Sequence, residues 1–308
     1  MIEIITGGAL STVQDLGRFG VMKNGFTQSG VMDAHAMKLG NAILANDYNA
    51  PVIEMMLKGV MARFLTPELF CLTGGVCEAY LNDKPLEMNT SYKAETDDIL
   101  TVKNVKSGMR SYLAVGGGFK VPSVMGSAST NLKIAVGGYE GRKLRTYDRI
   151  ETGEASENAK AGKTVKEDKP KGEFTVLRAV PGPQDEMFTQ EDKEIFFSET
   201  YTVTPAIDRM GIRLDGKPVK GKNGTDIISD GIVFGSVQIP NSGMPIILAA
   251  DHQTTGGYAK IATVISVDLP LLAQARPGDK IRFSAVTVEE AEKLAIEEKQ
   301  YFENISER

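Results

Sequence analysis

The chain has 308 residues, 42% hydrophobic and 24% charged, with a formal net charge of −5. These values describe a globular protein long enough to bury a sizeable core, and at roughly 150 residues per domain they suggest about two domains. The acidic balance, with Lys and Arg spread along the chain, gives no reason to expect nucleic acid or a membrane surface as a partner.

Glu3-Ile4-Ile5 opens the chain as a strand, without the basic start or apolar length of a signal peptide. No window nears the roughly 18 apolar residues of a membrane span, so a cytoplasmic location is expected. Ser29-Gly30-Val31-Met32-Asp33 leads into a helix over 34–46, with Met32, Ala36, Leu39, Ile43 and Leu44 at helical spacing. Inside it, Ala36-Met37-Lys38-Leu39 is similar to the Met-Lys-Met of a biotin attachment site. Such a lysine belongs on a hairpin tip, so the helical setting argues against covalent biotin. Glu54 lies in the apolar run Val52-Ile53-Glu54-Met55-Met56-Leu57 and needs a partner if buried, an arginine for example.

Strands are expected at 62–65, 69–73, 79–81, 99–102 and 110–115, with turn signals at Asn82-Asp83 and Lys106-Ser107-Gly108. The two cysteines, Cys71 and Cys77, match no zinc spacing and are too few for a disulfide framework, so buried free thiols are expected. Gly116-Gly117-Gly118 lacks the following helix of a dinucleotide fingerprint. Gly162-Lys163-Thr164 resembles the end of a phosphate-binding loop, but Glu157 stands where the first glycine should be. Residues 151–172 hold no aromatic, Leu or Ile. They read as a charged linker or long loop between an N-terminal β domain (1–150) and a C-terminal one (173–308).

The second part opens with a strand over 174–180 and the turn Pro181-Gly182-Pro183. A helix over 189–197 is capped by Thr189, with Asp192 three residues on. Strands follow at 201–204, 233–239, 246–249, 262–266 and 280–284, then a helix from Val288 towards the terminus. Many short strands and few helices give a mainly β fold of barrel or sandwich type.

The densest chemistry is Asp251-His252-Gln253-Thr254-Thr255-Gly256-Gly257-Tyr258-Ala259-Lys260, directly after the apolar run 246–250. A strand that delivers an acid, amides, hydroxyls, a phenol and an amine suits a ligand site, because loops on a rigid scaffold are where binding groups concentrate. A polar hairpin turn with a solvated lysine is the competing interpretation. The two histidines, His35 and His252, form no cluster with metal spacing, and no metal is expected.

Taken together, these segments resemble the C-type subunit of bacterial 5-oxoprolinase, from a family also called allophanate hydrolase subunit 2-like or KipA-like, and part of the carboxyltransferase region of urea carboxylase. The resemblance runs through 12–18, 29–33, Gly40-Asn41, Glu54, 112–117, Gly126-Ser127 with Ser129-Thr130, 137–142 and Pro181-Gly182-Pro183-Gln184. It continues through Asp208-Arg209-Met210-Gly211, 251–258, 260–266 and Arg276-Pro277-Gly278-Asp279. His252, Ala259 and Phe19 depart from the family's usual Arg, Pro and Pro.

The resemblance implies two cyclophilin-like β-barrel domains. It also implies an ATP-dependent complex with a B-like (KipI-like) subunit and an A-like subunit that converts 5-oxoproline to glutamate, or a related carboxyltransferase action on a small amide or urea. ATP is then used by the complex, and any biotin is carried on another chain. KipA-like members also suggest an alternative, a regulatory protein that binds a kinase inhibitor.

Activating an amide needs a donor at the carbonyl oxygen and an acceptor at N–H. The expected catalytic groups are Lys260, Asp251 and Asp208. The expected binding groups are Gln253, Thr254, Thr255, Gly256, Gly257, Tyr258, Arg209, Asp15, Arg18, Ser29, Asp33 and Asn41. For Asp208-Arg209, Asp15 and Arg18 the competing role is a structural ion pair or turn; for Ser29, Asp33 and Asn41 it is capping and packing of the helix start.

Overall fold

The computed structural model describes residues 1–167 and 172–306. They divide into two compact units, one of residues 1–19, 29–167 and 300–306, the other of 20–28 and 172–299. Both are built mainly from strands with a few helices, the two-barrel architecture that the resemblance implies.

The first unit contains β1 (Ile2–Thr6), β2 (Leu10–Gln14), α1 (Ala34–Ile43), β3 (Val52–Met56), β4 (Met61–Phe64), β5 (Glu68–Leu81), β6 (Lys84–Leu86), β7 (Ser91–Ala94), β8 (Ile99–Val115), β9 (Phe119–Lys120) and β10 (Arg149–Thr152). They form one sheet in the order β2-β3-β8-β4-β1-β10-β9, with β5 beside β8 and carrying β6 and β7. Ile4, Ile53, Phe64, Phe70, Leu100 and Leu113 pack into one buried cluster. Met37, Leu39 and Ile43 of α1 pack with Val52, Tyr112 and Ala114 of β3 and β8 in a second. The helix is shorter than its periodicity suggests, because Ala45 takes a positive φ of 51° just after it.

The segment after β10 is a long loop whose backbone is hydrogen-bonded onto the first unit. Gly153 N–H donates to Gly118 O at 2.8 Å, Ser91 N–H to Lys163 O at 2.9 Å and Val165 N–H to Asn89 O at 3.0 Å. Positions 168–171 of that segment lie outside the described residues. Lys163 Nζ donates to Ile305 O at 2.9 Å and Ala42 O at 3.4 Å, so its ammonium serves helix-end carbonyls and not a phosphate. Lys38 sits within α1, off any hairpin tip.

The second unit contains β11 (Thr175–Pro181), α2 (Gln190–Ser198), β12 (Tyr201–Ile207), β13 (Gly211–Asp215), β14 (Asp226–Gly231), β15 (Ser236–Gln238), β16 (Ile246–Leu248), β17 (Thr255–Tyr258), β18 (Lys260–Val264), α3 (Leu269–Ala273), β19 (Lys280–Ala285) and α4 (Val288–Ser306), whose last residues, from 300 on, count with the first unit. A closed barrel runs β11-β18-β15-β16-β13-β12-β19, shut by the parallel pairing of β11 with β19. Leu177, Phe196, Tyr201, Val237, Ile247, Ile261 and Phe283 share its core. β14 and β17 form a separate two-stranded ribbon. Among the described residues, no helix is long and apolar enough to cross a membrane.

Candidate functional site

The decapeptide that reads as one polar loop is divided by the fold. Its first residues turn after β16, Thr255–Tyr258 form β17, and Lys260 opens β18. This split sets the surroundings of each side chain. Lys260 is 2% exposed and its Nζ donates to Asp230 Oδ2 of β14 at 2.8 Å. It is therefore not the solvated lysine of a plain hairpin. A lysine ammonium is strongly hydrated in water, so one held in a barrel wall against a single carboxylate is an expensive arrangement.

The turn Pro181-Gly182-Pro183-Gln184 completes this centre. A Cβ at Gly182 would stand 2.1 Å from Lys260 O, so only glycine lets the turn approach β18. Gln184 is thereby set beside the lysine. Its Oε1 accepts from Lys260 N–H at 3.2 Å and its Nε2 donates to Asp230 Oδ2 at 3.1 Å. One carboxylate oxygen thus receives both the ammonium and an amide N–H. The Lys260 hydrogen bond first, then the Gly231 N–H and Gln184, hold the Asp230 carboxyl below the usual carboxylate range.

The acids expected to act as bases have other partners. Asp251 is gripped by Arg209, whose Nε donates to Oδ2 at 2.8 Å and Nη2 to Oδ1 at 3.1 Å; both side chains are about nine-tenths buried. Asp208 Oδ1 accepts from Met210 N–H at 2.7 Å and Gly211 N–H at 3.0 Å, which folds the tight turn from β12 to β13. His252 is buried, and burial lowers its pKa from 6.5, so it stands as a neutral ring with Nδ1 at 2.6 Å from Gln253 O. A guanidinium's chemistry is not reproduced at this position. Ala259 donates its N–H to Thr225 O at 2.8 Å, a bond that the family's usual proline has no hydrogen to make.

Gln253, Thr255 and Tyr258 are exposed, and Thr254 O accepts from Ile232 N–H at 3.2 Å. Gly256 and Gly257 differ in kind. A Cβ at Gly256 would stand 2.5 Å from both Gln238 Nε2 and Ile232 Cδ1, whereas the nearest atom to one at Gly257 is 3.5 Å away. A side chain at the first would have to displace the ends of Gln238 and Ile232, and one at the second would meet only ordinary contacts.

The five candidates from the N-terminal part lie in the first unit, where their polar atoms hold loops together. Asp15 Oδ1 accepts from Gly17 N–H, Ser127 Oγ and Ser129 Oγ, and Oδ2 from Ala128 N–H. Arg18 Nε donates to Val124 O at 3.2 Å and its Nη2 donates to Ser129 O. Ser29 Oγ accepts from Asn131 Nδ2 at 3.1 Å, and Asp33 Oδ1 caps α1 by accepting from Ala36 N–H at 2.8 Å. Asn41 Nδ2 donates to Ala50 O at 2.9 Å and to Tyr48 O at 3.3 Å. Glu54 does have an arginine nearby, Arg110 Nε at 3.9 Å, and also accepts from Tyr112 Oη and Met32 N–H, each at 2.8 Å.

A groove of about 560 Å³ in the first unit is no better candidate. Two of its charged groups are already paired, the Met1 amine donating to Glu68 Oε1 at 2.5 Å and also to Thr152 Oγ1 at 2.8 Å. Chemistry weighs more than volume here, and it favours Lys260, Gln184 and Asp230. In the sequence Gln184 stands out only as part of a shared motif, and Asp230 does not stand out at all, because Ser229-Asp230-Gly231 looks like an ordinary turn.

A family model described as carboxyltransferase domain, subdomain A and B, matches residues 24–285. The chain belongs to the carboxyltransferase-domain family. Within it, the chain is 38% identical over 306 residues to the C-type 5-oxoprolinase subunit of Escherichia coli (strain K12), covering 99% of this chain and 98% of that protein. It is 39% identical to the C-type 5-oxoprolinase subunit of Haemophilus influenzae, covering 99% and 97%. The fold matches the crystal structure of K. lactis urea amidolyase with a TM-score of 0.91 at 26% identity, over 99% of this chain and 20% of that one. The family that the sequence motifs point to is therefore the family found, and these relatives are subunits or parts of enzymes.

Proposed function

We propose that this carboxyltransferase-domain protein is the C-type subunit of an ATP-dependent 5-oxoprolinase and acts, within a complex, on the small cyclic amide 5-oxoproline. The observation that carries the reading is Lys260: a buried ammonium in the barrel wall, faced by one side chain from an exposed ribbon, in a chain that matches C-type 5-oxoprolinase subunits along almost its whole length. A lactam carbonyl resists attack until its oxygen can carry negative charge, and a fixed ammonium in a water-poor setting favours that charge most. Gln184 sits beside it as a neutral donor. Asp251 and Arg209 hold the turn that leads to β17, and Asp208 holds the turn from β12 to β13. The B-like and A-like subunits are the partners, and ATP is used by the complex at a site outside this chain.

The test combines this chain with its B-like and A-like subunits and measures ATP-dependent glutamate release from 5-oxoproline. Release is expected from the complete mixture. Lys260→Met should lower the turnover rate by about 10²–10³-fold, the typical loss for one charge-stabilising donor. A complete mixture that releases no glutamate, or a Lys260→Met chain that supports full turnover, would overturn the reading.

A further inference from the structure

Beside Lys260 lies a polar group that the proposed function does not use. Gln238, at the end of β15, is 2% exposed, and its amide nitrogen has no hydrogen-bond partner among the described residues. Buried donors are almost always paired, so an unpaired one requires a reason. The strand register gives its direction. Gln238 stands opposite Lys260 across β15 and β18, so the two side chains leave the same face of the sheet. Over that face runs the β14–β17 ribbon. A Cβ added at Gly256 would stand 2.5 Å from Gln238 Nε2, so the ribbon backbone passes close over that amide, and Gly256 pairs with Asp230, the residue whose carboxylate sits on Lys260 and Gln184.

The ribbon is the part of this arrangement best able to move. Among the described residues it has two strands and no third, a form that is marginal alone. Nearly all of β14 is exposed, and the Asp230 side chain is 52% exposed while its lysine partner is 2% exposed. The cation is built into the barrel and the anion is not.

We infer that Lys260, Gln184 and Gln238 form a binding site for a small carboxylate, and that Asp230 occupies it when no ligand is bound. An incoming carboxylate takes the place of the Asp230 side chain on Lys260 Nζ and Gln184 Nε2. As the ribbon lifts, Gly256 leaves the Gln238 amide, which then donates to the ligand's second oxygen. No covalent step is involved. The inference rests on Lys260 facing ligand, but it gives the ammonium the ligand's carboxylate in place of the lactam oxygen, with a third binding residue and a built-in competitor.

The experiment is calorimetric titration of the full chain with 5-oxo-L-proline, with acetate, with bicarbonate, and with 2-pyrrolidinone, which is the same lactam without its carboxylate. The two carboxylates should bind and 2-pyrrolidinone should not; bicarbonate alone binding would point to carboxyl transfer and overturn the carboxylate assignment. Asp230→Asn keeps the side chain's shape without its charge, and should tighten 5-oxo-L-proline binding about tenfold. Gln238→Met keeps the length without the N–H, and should weaken it about tenfold. Because it removes an unpaired donor, Gln238→Met should melt no lower than the parent chain, which separates a binding role from a structural one. Both variants binding like the parent, or no carboxylate bound even by Asp230→Asn, would overturn the proposal. In the second case, a Lys260→Met chain inactive in the complete mixture would show that the proposed function still stands.

Discussion

At the scale of single residues, the molecule separates charges that are already committed from charges still available. Arg209 and Asp251 belong to the first kind: two hydrogen bonds join them, and each side chain is about nine-tenths buried. Removing one partner leaves the other charge buried and unpaired, a loss of about 3 kcal/mol or more. Arg209→Met should therefore lower unfolding stability by about that amount in a urea titration, and a cost below about 1 kcal/mol would contradict the pairing. Such commitments are not legible in the sequence. Asp15, Arg18 and Asn41 have the right chemistry for ligand binding, but their chemistry does not reveal which partners consume it. Ser127 and Ser129 are more than a hundred positions from Asp15. The position of Lys260 is legible, whereas Asp230, Gln184 and Gln238 around it become neighbours only through the barrel's register.

At the scale of elements, local signals are legible and non-local ones less so. The Thr189–Asp192 box is a short-range pattern, and it forms: Thr189 Oγ1 accepts from Asp192 N–H at 3.1 Å, and Asp192 Oδ2 accepts from Thr189 N–H at 3.1 Å. Thr189→Ala should cost about 1 kcal/mol, measurable as a lower urea midpoint with an unchanged slope. The long strands β5 and β8 each look like two in the sequence. Gly74 and Gly108 carry positive φ angles of 84° and 80°, and glycines so placed resemble turns. In the fold they accompany register shifts between Gly74 and Ala79, where β5 stays paired to β8. A glycine inside a strand pattern can mark a bulge as well as an end, and only the partner strand decides between them. The ribbon strand β17 escapes notice for a related reason, since Gly256 and Gly257 weaken any strand signal.

At the scale of the whole molecule, the many short strands and few helices point to the mainly β class, and the motifs spread over the chain point to the family. The closure of β11 on β19 is parallel and joins residues about a hundred positions apart, so no local pattern announces it. The same scale governs the response to acid, because a group buried uncharged favours folding only while its unfolded counterpart also lacks the proton. Burial lowers the pKa of His252 from 6.5, while the Gln253 carbonyl and Asp251 act in the other direction. Below about pH 6.5 the unfolded chain takes up a proton here that the folded chain refuses. Stability is then fully present above that pH and declines as the pH falls through the folded value. Asp148 and Asp192 add a later decline. Burial raises both carboxyls, but hydrogen bonds from Arg142 to the first and from Thr189 to the second outweigh it, leaving both below 3.8. Their contribution is present above about pH 4 and lost below it. Urea titrations of the parent chain and of His252→Gln between pH 8 and pH 3 should begin to differ in slope as the pH falls below about 6.5, where the parent alone loses stability to this histidine. Parallel profiles throughout that range would mean that His252 carries a proton in the folded barrel.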